Sequence, residues 1–181
     1  MKTVLIAAIT LDGKISTSSS KDVDWTSKKD KAFFSKELKK AGVSILGRKT
    51  YQAALAAKHL TPGTRRIIIT RTPSKYKSHQ VPGKLEFTND TPKKIIAKLE
   101  KAGHKKAVIS GGSEIYASFL KAKLIDEIYL TIAPKIFGKG VPLFANSLQN
   151  KQLKNLKLSL ASVSKLGPSE VLLKYKVNYS K

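Results

Sequence analysis

The chain has 181 residues, 41% of them hydrophobic, with a net charge of +23, no cysteine and three histidines. That length suits one domain burying roughly 70% of its unfolded surface. The missing thiols and the separated His59, His79 and His104 exclude a disulfide framework and a clustered metal centre. The charge brings nucleic acid and anionic membrane into consideration. Yet only Arg48, Arg65, Arg66 and Arg71 are arginine, the fork that phosphate and base recognition favours. Scattered lysine reads as a solvated surface, and nucleic acid is disfavoured as a partner.

In chain order, Met1-Lys2-Thr3 and the apolar run Val4 to Ile9 resemble the start of a secretory leader. Asp12 and Lys14 then interrupt it, no small-residue cleavage pattern follows, and no later stretch has membrane-spanning length. The expectation is a buried first strand in a cytoplasmic protein without membrane association. A polar loop runs from Ser16 to Asp24. Trp25 precedes a helix over 27–40 on which Asp30, Phe34, Leu38 and Ala41 share one side, so a carboxylate heads an apolar stripe. Ser27-Lys28-Lys29-Asp30 also matches a capping box, in which Asp30 only completes the helix start.

Val43 to Leu46 is a second strand, ending in Gly47-Arg48-Lys49-Thr50-Tyr51, which opens a helix over 49–57. Ile67 to Thr70 is a third, followed by Arg71 and a polar loop from Pro73 to Pro82. Thr91 caps a helix with Pro92 in its first position, Ile95, Ile96 and Leu99 on one face and Gly103 at its end. Ala107 to Ile109 is a strand that opens through Ser110-Gly111-Gly112-Ser113-Glu114-Ile115-Tyr116 into a helix over 113–121, and Ile128 to Ile132 is a further strand. Continuous apolar runs of this kind belong to a largely parallel sheet covered on both faces. By contrast Leu156, Leu158 and Leu160, and Leu173, Tyr175 and Val177, alternate with polar residues around Leu166-Gly167-Pro168-Ser169. They predict an antiparallel pair at the sheet edge, which leaves monomer and homodimer open.

Two strands that end in glycine and open into helices point backbone N–H groups and positive helix ends at an anion. Gly47-Arg48-Lys49-Thr50 adds two cations and a hydroxyl, and Thr70-Arg71 could hold a ribose 2′-phosphate. The pair suggests a phosphorylated dinucleotide.

Taken together the chain resembles the dihydrofolate reductase family in the broad sense that includes the reductase domain of riboflavin synthesis. The resemblance runs through Ile6-Ala7-Ala8, Leu11-Asp12-Gly13-Lys14-Ile15, Trp25 with Asp30 and Phe34, Leu46 to Tyr51, Pro62-Gly63, Thr70-Arg71, Ser110-Gly111-Gly112 with Ile115-Tyr116, and Tyr129-Leu130-Thr131. It implies a three-layer αβα domain over 1–181, with a mainly parallel, twisted eight-stranded sheet, an antiparallel C-terminal edge and about four helices. It also implies NADPH as cofactor and no metal. Ala8, Ile15, Ser110, Gly111 and Gly112 would border the nicotinamide, with Ser113, Glu114, Ile115 and Tyr116 beyond them. Gly47, Arg48, Lys49 and Thr50 would take the phosphates, and Thr70 and Arg71 the 2′-phosphate. Asp30, aided by Trp25 and Thr131, would hold and polarise the substrate ring, with Ile6, Ala7, Phe34 and Tyr116 around it.

The implied reaction is reduction of dihydrofolate, with hydride to C6 and a proton to N5. Three features depart from that pattern, one being the polar loop Ser16 to Asp24, which has Val23 and Asp24 where the family often has an apolar residue and proline. Where familiar dihydrofolate reductases place an arginine directly after Pro-Gly to bind the glutamate tail, Pro62-Gly63 is followed by Thr64, and Arg65 would have to serve. Moreover, Leu124 to Glu127 and Ala133 to Gly140 look more like the riboflavin branch, which reduces the ribose of a phosphorylated aminopyrimidine.

Overall fold

The computed structural model describes residues 1–17 and 25–180, so most of the polar loop expected over 16–24 lies outside the described residues. The strands are β1 Lys2–Thr10, β2 Lys14–Thr17, β3 Val43–Gly47, β4 Arg65–Ile69, β5 Leu85–Thr88, β6 Lys106–Gly111, β7 Glu127–Ala133, β8 Gly140–Pro142, β9 Leu156–Lys165 and β10 Val171–Tyr179. The helices are α1 Lys28–Ala41, α2 Arg48–Ala56, α3 Pro92–Lys101, α4 Ser113–Lys121 and the four-residue α5 Asn150–Leu153. Eight strands make one sheet in the order β5-β4-β3-β6-β1-β7-β10-β9, and β2 pairs with β8 in a small second sheet. The six strands from β5 to β7 are parallel, while β10 and β9 run antiparallel at the edge.

The parallel strands read as unbroken apolar runs because both sheet faces are covered. Adjacent residues of β1 show it. Leu5 packs into the larger core with Ile95 and Leu99 of α3 and Phe119 and Leu120 of α4. Val4 and Ile6 face the other way, onto Leu38 and Ala41 of α1 with Phe33 and Phe34 alongside. Helix α1 stops at Gly42, whose left-handed φ of 72° lets its N–H reach the Leu38 carbonyl.

The region expected as loop over 73–82 contains a 3-10 helix, Pro73–His79. It forms because Tyr76 stacks on Phe87 at 4.5 Å and closes a small core with Leu46 and Ile68. Among the described residues no helix is long and apolar enough to cross a membrane.

Candidate active site

The parallel strands deliver their C-terminal ends to one edge of the sheet, and the two glycine corners meet there. β3 and β6 are neighbours, with Leu46 opposite Gly111. Gly47 is the N-cap of α2 and Gly112 that of α4, and neither helix start has a side-chain cap. The leading N–H groups of both helices are therefore available to an anion, while that of Ile115 in α4 is taken by the Gly112 carbonyl at 2.9 Å. A Cβ at Gly47 would lie 3.2 Å from Ile115 Cγ1, and one at Gly112 would lie 3.2 Å from Thr50 Oγ1, so the corners touch. The Gly111–Gly112 peptide is cis and Gly111 has φ of 100°. A side chain at Gly111 would also run into Tyr116, whose hydroxyl stands 2.9 Å from the Cβ position.

Polar groups gather around these corners. Ser113 is buried at the first position of α4, and its hydroxyl has no hydrogen-bond partner. Arg48, Lys49 and Thr50 form the first turn of α2, with Arg48 Nη1 donating to Gln52 Oε1 at 2.7 Å. Ser110 bonds Ser44 across the strands at 2.8 Å. Thr70 is buried just past the end of β4, and Arg71 beside it is exposed. Glu114 turns outward, where it accepts the Ser147 hydroxyl at 3.1 Å. An unpartnered buried hydroxyl beside two uncapped helix starts fits a phosphate-bearing ligand, and the missing Cβ atoms of Gly47, Gly111 and Gly112 let the two corners and Tyr116 pack this closely.

Next to this edge, β1 carries Ile6, Ala7 and Ala8, with Ala8 opposite Thr131 of β7. Phe34 of α1 packs on the cluster that includes Ile6. The Tyr116 hydroxyl donates to the Ile6 carbonyl at 2.8 Å, and burial pushes its phenol pKa well up. That hydroxyl is committed to holding α4 against β1. Ile15, on β2, packs against the larger core.

Asp30 is only 8% exposed. Burial raises the pKa of its carboxyl, the Glu170 charge raises it further, and the Thr131 and Thr26 hydroxyls and Lys31 pull it down. The Thr131 hydroxyl, itself buried, acts on the carboxyl without closing a hydrogen bond of ordinary geometry. The capping alternative is decided by Ser27. Its hydroxyl accepts the Asp30 N–H at 3.1 Å, but its own N–H goes to Glu170 Oε1, so the Asp30 carboxyl is not spent on the cap. Trp25 lies edge-on to Phe137 at 5.1 Å.

The sequence model of the RibD C-terminal domain matches residues 2–172. The chain belongs to the RibD C-terminal domain family. It is 29% identical over 161 residues to the uncharacterized protein YwjB of Bacillus subtilis (strain 168), covering 86% of this chain and 89% of that one. Its fold is similar to that of a putative riboflavin biosynthesis protein from Shewanella sp. PV-4, with a TM-score of 0.74 and 23% identity over 98% of this chain and 99% of that one. It is also similar to dihydrofolate reductase from Enterococcus faecalis solved with NADP(H), with a TM-score of 0.68 and 18% identity over 98% and 96% of the two chains.

Within this RibD-type domain one expected residue stands elsewhere. Arg65 begins β4, at the end of the sheet opposite the glycine corners, where Nη2 pairs with Glu86 Oε1 at 2.5 Å and Nη1 meets His104 Nε2 at 3.0 Å. Two carboxylates not singled out in the sequence reading stand close to the site. Asp12 accepts the Thr10 hydroxyl at 2.5 Å and the Phe137 and Gly138 N–H groups at 3.1 and 2.8 Å, and these bonds, Thr10 foremost, hold its pKa down. It thereby ties the loop before Ile15 to the segment that carries the ring against Trp25. Glu170, 6% exposed, is the other. Asp12 had a local signal in Leu11-Asp12-Gly13, whereas Glu170 had none.

Proposed function

We propose that the protein is an NADPH-dependent reductase of the riboflavin-branch type, acting on a phosphorylated ribosylamino-pyrimidine. The observation that carries the reading is the contact between two uncapped helix starts, one strand away from a buried carboxyl whose pKa is raised. The family match and the likeness to a riboflavin biosynthesis protein support the choice of branch. So does Arg65, which is paired at the far end of the sheet and offers nothing to a glutamate tail.

Bound NADPH supplies a hydride. In this reading the leading N–H groups of α2 and α4, with Arg48, Lys49, Thr50 and the Ser113 hydroxyl, hold the phosphates. Thr70 and Arg71 take the 2′-phosphate. Ala8, Ile15, Ser110, Gly111, Gly112 and Ile115 form the wall against which the nicotinamide would lie, with Tyr116 behind it. Substrate fills the space between Asp30, Phe34, Ile6, Ala7 and Trp25. When the acceptor carbon takes hydride, the neighbouring heteroatom needs a proton. Burial raises the pKa of the Asp30 carboxyl, which suits it better to supply or relay one than an exposed aspartate near pKa 3.9.

A second reading, dihydrofolate as substrate, is favoured by Asp30 following Trp25 in the sequence and by the Thr131 hydroxyl acting on its carboxyl. Both are tested by mixing purified protein with NADPH and each substrate and following absorbance at the nicotinamide band. Oxidation with the pyrimidine is expected, and Asp30→Asn should lower kcat by roughly 10²–10⁴-fold. Turnover of dihydrofolate alone would move the assignment to the second reading, and turnover of neither would remove the reductase assignment.

A further inference from the structure

Glu170 sits immediately before β10, the strand that places Leu172 opposite Thr131. Its Oε1 accepts the Ser27 N–H at 3.1 Å and its Oε2 accepts the Ser27 hydroxyl. Ser27 Oγ in turn accepts the Asp30 N–H at 3.1 Å. The buried Glu170 carboxylate thus holds Ser27, 143 positions away in sequence, and Ser27 in turn holds the backbone N–H of Asp30. A serine N-cap needs no such help, because its hydroxyl satisfies the helix N–H unaided. Burying an acid is unfavourable unless it is well bonded, so the arrangement calls for a reason beyond helix capping. Glu170 also lines a cavity of about 430 Å³ that Trp25, Lys28, Lys29 and Lys135 share.

We propose that Glu170 is a positioning residue for Asp30, fixing the start of α1 through Ser27 and setting a second negative charge beside the working carboxyl. The groups that bear on Asp30 are Thr131 from β7, Thr26 from the preceding loop, Lys31 from α1 and Glu170. Of these, Glu170 is the one that disfavours ionisation, and a like charge keeps a neighbouring acid in its proton-carrying form to higher pH. The role in proton delivery rests on the reductase reading. The coupling between the two carboxyls is a property of the protein without ligand and is tested separately.

The full chain, labelled with ¹³C at aspartate carboxyls, is titrated by NMR, with the Asp30 signal identified by its loss in Asp30→Asn. The Asp30 midpoint should fall to lower pH in Glu170→Gln, which keeps an acceptor for the Ser27 N–H but removes the charge. Glu170→Asp, which withdraws the charge by one carbon, should move it the same way by less, and this variant carries the test if glutamine prevents folding. With NADPH and the accepted substrate, the alkaline limb of the kcat–pH profile should shift in the same direction while KM for NADPH stays unchanged. An Asp30 midpoint unmoved in the folded variants overturns the proposal. Absence of turnover in the unaltered protein removes the reductase reading and leaves the midpoint comparison to decide the coupling.

Discussion

Asp90 and Asp30 are the same side chain driven in opposite directions. Asp90 is held down to about 2 by Lys94 and Lys98, whose ammonium groups lie 2.8 and 2.5 Å from its two oxygens. A depressed carboxyl stabilises the fold above its unfolded pKa of about 3.9, and that contribution is lost as pH falls through the folded value. Asp90→Asn should therefore melt below the unaltered protein at pH 7, with the gap closing between pH 4 and pH 2 in calorimetric scans. Asp30 has the reverse sign. Its raised pKa means that the unfolded chain releases the proton first, so ionisation disfavours the fold as pH rises past the unfolded value. Asp30→Asn should accordingly raise the melting temperature at pH 8, leave it unchanged at pH 3.5, and remove activity. Gain of stability with loss of function in one substitution marks a carboxyl kept for chemistry.

At the scale of elements, what could be read from sequence was what neighbouring residues decide. Helix α3 begins at Thr91, whose hydroxyl accepts the Lys94 N–H at 3.4 Å, has Pro92 at its first position and buries Ile95, Ile96 and Leu99. All of this lies within ten residues. The glycine corners were legible for the same reason, and so was the antiparallel edge, where alternation is local. Strand β5 was missed because four residues, Leu85–Thr88, carry too little pattern, and the 3-10 helix because Tyr76 is ordered by Phe87 rather than by its own neighbours. Arg65 illustrates another limit. Its place after Pro62-Gly63 was plain, but which end of the sheet it occupies depends on the polarity of β4, and a residue that begins a parallel strand lies away from the corners that end it. Glu170 meets Ser27 only once β10 is laid against β7. The local kind of signal has a simple test: Thr91→Ala should cost about 0.5–1 kcal/mol in chemical denaturation. As α3 supplies no candidate site residue, kcat and KM should stay as they were.

For the whole molecule, the charge of +23 acts through where the few acids are used. Glu37 binds Lys40 and Lys106, Glu86 binds Arg65, Asp90 binds two lysines, Glu100 binds the N-terminus and Glu127 binds Lys2. Asp12, Asp126 and Glu170 accept hydrogen bonds within the fold. Many of the other lysines among the described residues are exposed, and with so large a net positive charge the folded state repels itself. Salt should relieve that strain. Raising ionic strength from about 0.01 to 0.15 M shortens the screening length from roughly 30 to 8 Å, and the melting temperature should rise. The same ions should weaken binding of an anionic dinucleotide at Arg48, Lys49 and Arg71, so affinity for NADPH should fall as stability climbs. Opposite responses to one variable separate a general surface effect from a dedicated site. Arg71→Ala sharpens the distinction, because NADH lacks the 2′-phosphate that Arg71 is expected to meet. The variant should lose affinity for NADPH, become less salt-sensitive in binding it, and bind NADH as before, all read by fluorescence titration. Equal losses for the two nucleotides would show that Arg71 contributes only to the general field.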